Sequence, residues 1–192
     1  KGEYAYYIYP YQYYGIGSDV DLDIYEVYTA DFLRLETNLL YQAKSNLYIG
    51  PTIFFDKYFN IEIDPNGQLK EQQIRGIQPG NVFGLGATFI YDMRNNVFSP
   101  GSGYYLEGRL LQYENALIGN YSFTDMYIDV RKYFTPLSKT ELAFQLYHQS
   151  ILGDPPFYNL ALLGGGRQMR GYYKGGYRDN HQTVIQTEIR RY

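Results

Sequence analysis

The sequence predicts an all-β fold, an antiparallel transmembrane β-barrel, and three observations carry the prediction. Apolar and polar residues alternate with period two along most of the chain, the spacing of strands whose two faces meet different surroundings. Tyrosine is over-used: 25 Tyr and 11 Phe stand beside no Trp in 192 residues. Tyr suits strands, and it suits a membrane–water interface, where the ring sits in the apolar layer and the hydroxyl stays wet. The polar strand faces carry opposite charges in pairs (Asp92 with Arg94, Glu107 with Arg109, Asp129 with Arg131) rather than the Lys, Ser and Thr of a solvated surface. Such alternation admits two architectures. In a soluble sandwich the apolar face points inward; in a membrane barrel it points to lipid and the charged face lines the lumen. The charge pairs favour the barrel, as does the alternation of short and long connections.

The elements follow in order. Residues 1–14 read as a tyrosine-rich strand and 21–40 as a longer one, with Arg34, Glu36 and Asn38 on one face. A shorter strand spans 46–56, and 60–80 reads as a polar loop. In the strand over 82–95, Phe83, Leu85, Ala87, Phe89, Tyr91 and Met93 share a face, opposed by Gly84, Gly86, Thr88, Asp92 and Arg94 with Ile90 among them. Asn95-Asn96 with Ser99-Pro100-Gly101-Ser102-Gly103 is a turn by composition. The strand over 104–113 sets Tyr104, Leu106 and Leu110 against Glu107 and Arg109. After a polar connection at 114–120, the strand over 121–134 sets Met126, Ile128, Val130 and Phe134 against Asp125, Asp129 and Arg131. A short turn at 135–139 leads to the strand over 140–150, with Leu142, Phe144 and Leu146 against Glu141, Gln145 and Gln149. A glycine-rich segment, 153–181, precedes the final strand over 182–192, where Ile185 and Ile189 oppose Gln186, Glu188 and Arg190. That makes eight strands, with no helical pattern and no internal repeat.

Composition excludes several function classes. A net charge of −3 gives no electrostatic case for nucleic acid or for an anionic lipid surface. With no cysteine there is no disulfide scaffold, no thiolate metal site and no thiol catalysis. His148 and His181 lie far apart without ligand spacing, so neither a metal nor another cofactor is expected. No stretch approaches about 18 uninterrupted apolar residues, so no transmembrane helix is predicted. Lys1-Gly2-Glu3 reads as an internal start without a signal peptide.

Leu162-Leu163-Gly164-Gly165-Gly166-Arg167-Gln168-Met169-Arg170-Gly171-Tyr172-Tyr173, with Gly175, Gly176, Tyr177, Arg178 and Asp179 behind it, resembles the long sixth outer loop of the BamA/TamA-type outer-membrane assembly factors, also called bacterial surface antigens. The signature there is a hydrophobic residue, Arg-Gly and an aromatic; Met169-Arg170-Gly171-Tyr172 fills it. Residues 91–96 with 100–105 resemble the superfamily's Asp-x-Arg strand end, turn and restart. Gly153-Asp154-Pro155-Pro156-Phe157 resembles the approach to the loop, and Thr187-Glu188-Ile189-Arg190 the strand after it. The likeness covers 82–192 well and the first third poorly.

The resemblance implies a barrel in a Gram-negative outer membrane that assists assembly and insertion of other outer-membrane proteins. It implies the lipid bilayer and unfolded outer-membrane clients, or a secreted partner protein, as partners. It further implies that the loop 153–181 folds back into the lumen and that Arg170 pairs with acidic residues of the inner wall. Glu188 occupies one such position, while the superfamily's second acidic partner lies on the strand after it. Asp92, Arg94, Glu107, Arg109, Asp129 and Arg131 complete the expected lumen ion pairs. The superfamily's barrels have sixteen strands, so the chain is expected to be part of one; the periplasmic repeats that usually precede the barrel are not in this sequence, either cut away or lacking in this branch.

Two rival readings remain. Other branches of the superfamily translocate a partner protein or tether a lipase domain, and the arginine loop does not separate them. His148-Gln149-Ser150 also resembles the His-x-Ser of outer-membrane phospholipases, in which a lipid-facing His and Ser form a base–nucleophile pair; Asn159 is a loose third member. Because the surrounding residues follow the assembly-factor pattern, no catalytic residue and no enzymatic activity are expected.

Overall fold

The period-two segments become strands. In the computed structural model, which describes residues 2–116 and 118–191, these are β1 (Gly2–Tyr13), β2 (Glu26–Asn38), β3 (Tyr41–Lys44), β4 (Leu47–Glu62), β5 (Gly80–Asp92), β6 (Gly103–Tyr113), β7 (Phe123–Leu137), β8 (Thr140–Gly153), β9 (Ala161–Leu163), β10 (Tyr177–Asp179) and β11 (His181–Arg191). Lys1 and Tyr192, at the ends of the first and last expected strands, and Leu117 in the connection 114–120 lie outside the described residues.

The eight expected strands form one antiparallel sheet in the order β1-β2-β4-β5-β6-β7-β8-β11, with β3 paired to β4 as a ninth. The sheet is not closed: among the described residues β1 pairs only with β2, and β11 only with β8. β1 also carries Pro10, a residue tolerated on sheet edges because it cannot donate to a ladder. Connections 14–25, 63–79, 114–122 and 154–180 fall at one end of the strands; the β3–β4 hairpin and connections 93–102 and 138–139 fall at the other.

Three differences from the sequence reading have local causes. β4 continues past Asp56 to Glu62, because Tyr58 and Ile61 pair with β2 and are buried there despite polar neighbours. The segment read as a plain loop holds a single helical turn, α1 (Gln68–Glu71), pinned by Leu69, which is fully buried. The glycine-rich segment 153–181 contains its own hairpin, β9 with β10.

The two faces of the sheet differ as alternation requires. On the outer face Ile53, Leu85, Leu110, Ile128, Phe144, Ile185 and Ile189 are exposed, an apolar surface far larger than isolated surface residues would give. On the other face, residues of β2, β4, β6, β7 and β8 line one cavity of about 720 Å³ together with loop residues 164–168, so the sheet curls around its polar side. Two aromatic-rich clusters fill the long-loop end of this concave side. One holds Tyr13, Tyr28, Phe32, Tyr58, Leu69 and Phe157; the other holds Phe54, Val82, Leu111, Tyr113, Phe123 and Ile151. Tyr158 packs against both, stacking on Tyr58 at a centroid distance of 4.1 Å.

Candidate functional site

Inward-facing positions of adjacent strands pair their charges side by side, and one contact, Arg109 with Glu36, joins the non-adjacent β6 and β2. Arg34 on β2 donates Nε and Nη2 to the two oxygens of Asp56 on β4, at 2.9 and 2.6 Å. This bidentate fork suits guanidinium and not ammonium, and the Asp56 side chain is completely buried beneath it. Arg109 on β6 reaches Asp125 at 3.1 Å and Glu36 at 3.4 Å, with its guanidinium 4.8 Å from the centroid of the Tyr127 ring. Gln149 donates to the other Asp125 oxygen at 2.9 Å. Beside this network Thr52, Asn38 and Thr88 share buried hydrogen bonds.

The expected pairs Asp92–Arg94 and Asp129–Arg131 form, at 2.7 and 2.5 Å. Both guanidiniums lie over the ring of Tyr105, at 4.5 and 5.2 Å. The expected pair Glu107–Arg109 does not form. Glu107 instead accepts hydrogen bonds from Tyr105 and Tyr127, and Arg109 turns to Asp125 and Glu36. In the register with β7, Arg109 faces Tyr127 and Glu107 faces Asp129, so Arg109 reaches diagonally to Asp125 and Glu107 takes the diagonal Tyr127 hydroxyl.

The loop between β8 and β11 enters the lumen. Gly164, Gly165 and Gly171 adopt positive φ, and a Cβ on Gly164 would run into the Tyr173 carbonyl. Tyr172 N donates to Met169 O and Gly165 N to Tyr172 O, both at 3.1 Å, closing a tight turn around Arg170-Gly171. Gln186 on β11 fastens this turn to the wall: its Oε1 accepts from Met169 N at 2.7 Å, and its Nε2 donates to Arg167 O at 3.3 Å and to Gln145 Oε1 at 2.9 Å. Gln182 adds a bond to Gln168 at 2.6 Å. Farther along, Arg178 is only 3% exposed; its Nη2 donates to the carbonyls of Gln12 and Gly175, and its guanidinium lies 4.9 Å from the Tyr13 ring centroid. Gly17 N also bonds to Arg178 O at 2.8 Å. The loop therefore ties the end of β1 to the region ahead of β11.

Arg170 and Glu188 line one cavity of about 670 Å³ with Met169, Arg94, Arg131 and Arg167. Within it the Glu188 carboxylate accepts from Arg190 at 3.0 Å, and Arg170 makes no ion pair among the described residues. Lys174 faces the neighbouring cavity; desolvation there, with Arg34 nearby, holds its ammonium below the usual lysine range. The sequence reading did not single out Gln182 and Gln186 as loop anchors. Their shared inward face was legible, but a neutral amide gives no charge signal. Asn159 sits in the 3-10 turn Phe157–Asn159 and makes no hydrogen bond to His148; His148 bonds Ser150 and Thr183.

Among the described residues no helix is long and apolar enough to cross a membrane. The Omp85 superfamily domain matches residues 3–186. No curated protein matches the sequence.

Proposed function

The chain belongs to the Omp85 superfamily, and from that premise we propose that it helps fold and insert other outer-membrane proteins from a seat in the outer membrane. The observation that carries the reading is the superfamily match across 3–186, in a superfamily of outer-membrane assembly and translocation barrels. A client strand can pair with an exposed sheet edge through its backbone, and alternate side chains then fix register. No cofactor is needed, because insertion is driven by burying the client's apolar face in lipid and satisfying its backbone polar groups. Arg170 and Gly171 shape the turn of the inward loop, with Glu188 on the wall of the same cavity, rather than transform a substrate.

The test is insertion of an unfolded barrel client into vesicles holding the protein, followed by the heat-dependent gel mobility of the folded client. The reading predicts faster insertion than in empty vesicles, and a loss of that gain in Arg170→Ala. Insertion no faster than in empty vesicles, or a wild-type gain in Arg170→Ala, would refute it.

A further inference from the structure

On the outer face of the sheet one polar cluster interrupts the apolar surface. His148 and Ser150 of β8 lie opposite Thr183 and His181 of β11. Their other neighbours across β7 are Ile128 and Met126, and the exposed Leu152 and Ile185 flank them on the same face. Four side chains form one hydrogen-bonded chain. His181 Nδ1 lies 3.1 Å from Ser150 Oγ, Ser150 Oγ lies 2.9 Å from His148 Nε2, and His148 Nδ1 lies 2.8 Å from Thr183 Oγ1.

With both rings neutral, the chain of hydrogen bonds can run in either direction: from Thr183 Oγ1 through His148 and Ser150 to His181 Nδ1, or the reverse. Only the reverse direction turns the serine proton toward a ring that a further residue holds: His181 Nδ1–H donates to Ser150 Oγ, the Ser150 hydroxyl donates to His148 Nε2, and His148 Nδ1–H donates to Thr183 Oγ1. The serine proton then points at an unprotonated nitrogen whose tautomer is held from behind by a third group. That is the arrangement of nucleophile, general base and orienting residue. Ser150 keeps 9% of its surface open.

We propose that Ser150 is an ester-reactive nucleophile with His148 as its general base, and that its substrate is the acyl ester of a membrane lipid. Position selects the substrate. The cluster sits on the face that meets lipid in the barrel reading, three residues from the end of β8 and at the first residue of β11. In a bilayer that strand-end level is where acyl chains meet polar headgroups. Ser150 Oγ attacks the ester carbonyl carbon while its proton passes to His148 Nε2. The C–O bond to the glycerol oxygen then breaks, and that oxygen leaves with the proton from His148. Water, deprotonated by His148, attacks the acyl-serine and releases the fatty acid, restoring the Ser150 hydroxyl. His181, whose N–H already meets Oγ, is the donor nearest the developing oxyanion. Thr183 is a positioning residue. The chemistry lies on the face opposite the lumen network and does not depend on the assembly role.

The test uses the protein folded into vesicles of diacyl phosphatidylethanolamine and phosphatidylglycerol, with two readouts. A fluorophosphonate probe should form one adduct, at Ser150 by peptide mass, absent in Ser150→Ala. In His148→Ala and in the more conservative His148→Gln the labelling rate should fall by about 100-fold or more, as loss of a general base does. Thr183→Val should lower it less. Fatty-acid release should likewise require Ser150. No adduct at Ser150 in folded protein, or equal labelling in both His148 variants, would overturn the nucleophile. An adduct without fatty-acid release would overturn the lipid as substrate.

Discussion

Gln186→Ala tests whether the inward loop is held to the barrel wall by amide hydrogen bonds. The substitution removes two bonds to the loop, from Met169 N at 2.7 Å and to Arg167 O at 3.3 Å. The third Gln186 bond, to Gln145, lies within the wall. A neutral bond contributes about 0.5–1.5 kcal/mol net, so local docking should weaken by about 1–3 kcal/mol. At about 1.4 kcal/mol per tenfold, that is roughly a 5- to 150-fold fall in the docked-to-undocked ratio. The long second bond places the expectation near the lower half of this range. Loss should stay local, because Gln182–Gln168 and the Arg178 contacts remain. Hydrogen exchange of the peptide covering 164–172, read by mass spectrometry in vesicles, should quicken in Gln186→Ala. It should change little in Glu188→Ala, because Glu188 bonds Arg190 rather than the loop. Unchanged exchange in Gln186→Ala, or an equal effect from Glu188→Ala, would refute the reasoning.

Three further substitutions probe the lumen. Arg34→Ala leaves the fully buried Asp56 carboxylate without its bidentate partner, and should cost about 3–5 kcal/mol in urea unfolding from vesicles, with most of it regained in Arg34→Met/Asp56→Leu. Gly164→Ala places a Cβ against the Tyr173 carbonyl at φ +106°. It should open the loop to protease while leaving the barrel folded, as judged by gel mobility. Arg178→Met keeps much of the packing over Tyr13 but removes the donors to Gln12 and Gly175; cleavage between residues 164 and 178 should rise several-fold over wild type.

The strands were legible because one face of each meets lipid-like exposure and the other a polar lumen, so alternation survives almost undisturbed in β5, β6, β7 and β8. It faded where both faces mix, which is why β4 extends beyond its expected end: Lys57 and Asn60 look like loop, yet Tyr58 between them and Ile61 after them are buried against β2. Short elements held only by tertiary packing, α1 around Leu69 and the β9–β10 hairpin, leave no periodic trace. Charge pairing was half legible. Asp92–Arg94 and Asp129–Arg131 lie on one strand face and its continuation, whereas the partner of Arg109 lies on β7 and becomes visible only with register. The loop's entry into the lumen was implied by resemblance to a superfamily; its anchoring through Gln182 and Gln186 needed the register of β11 against β8.

The face of the sheet that meets lipid can be identified directly. The chain has no cysteine, so single cysteines can be placed at Leu85, Ile128 and Ile185 on the outer face and at Gln145 on the inner face, each carrying an environment-sensitive fluorophore in vesicles that contain bromine-labelled acyl chains. A lipid-facing outer surface predicts strong quenching by the lipid bromines at the three outer positions and little at Gln145. Equal quenching at all four positions, strong quenching confined to Gln145, or no quenching at any outer position would contradict it.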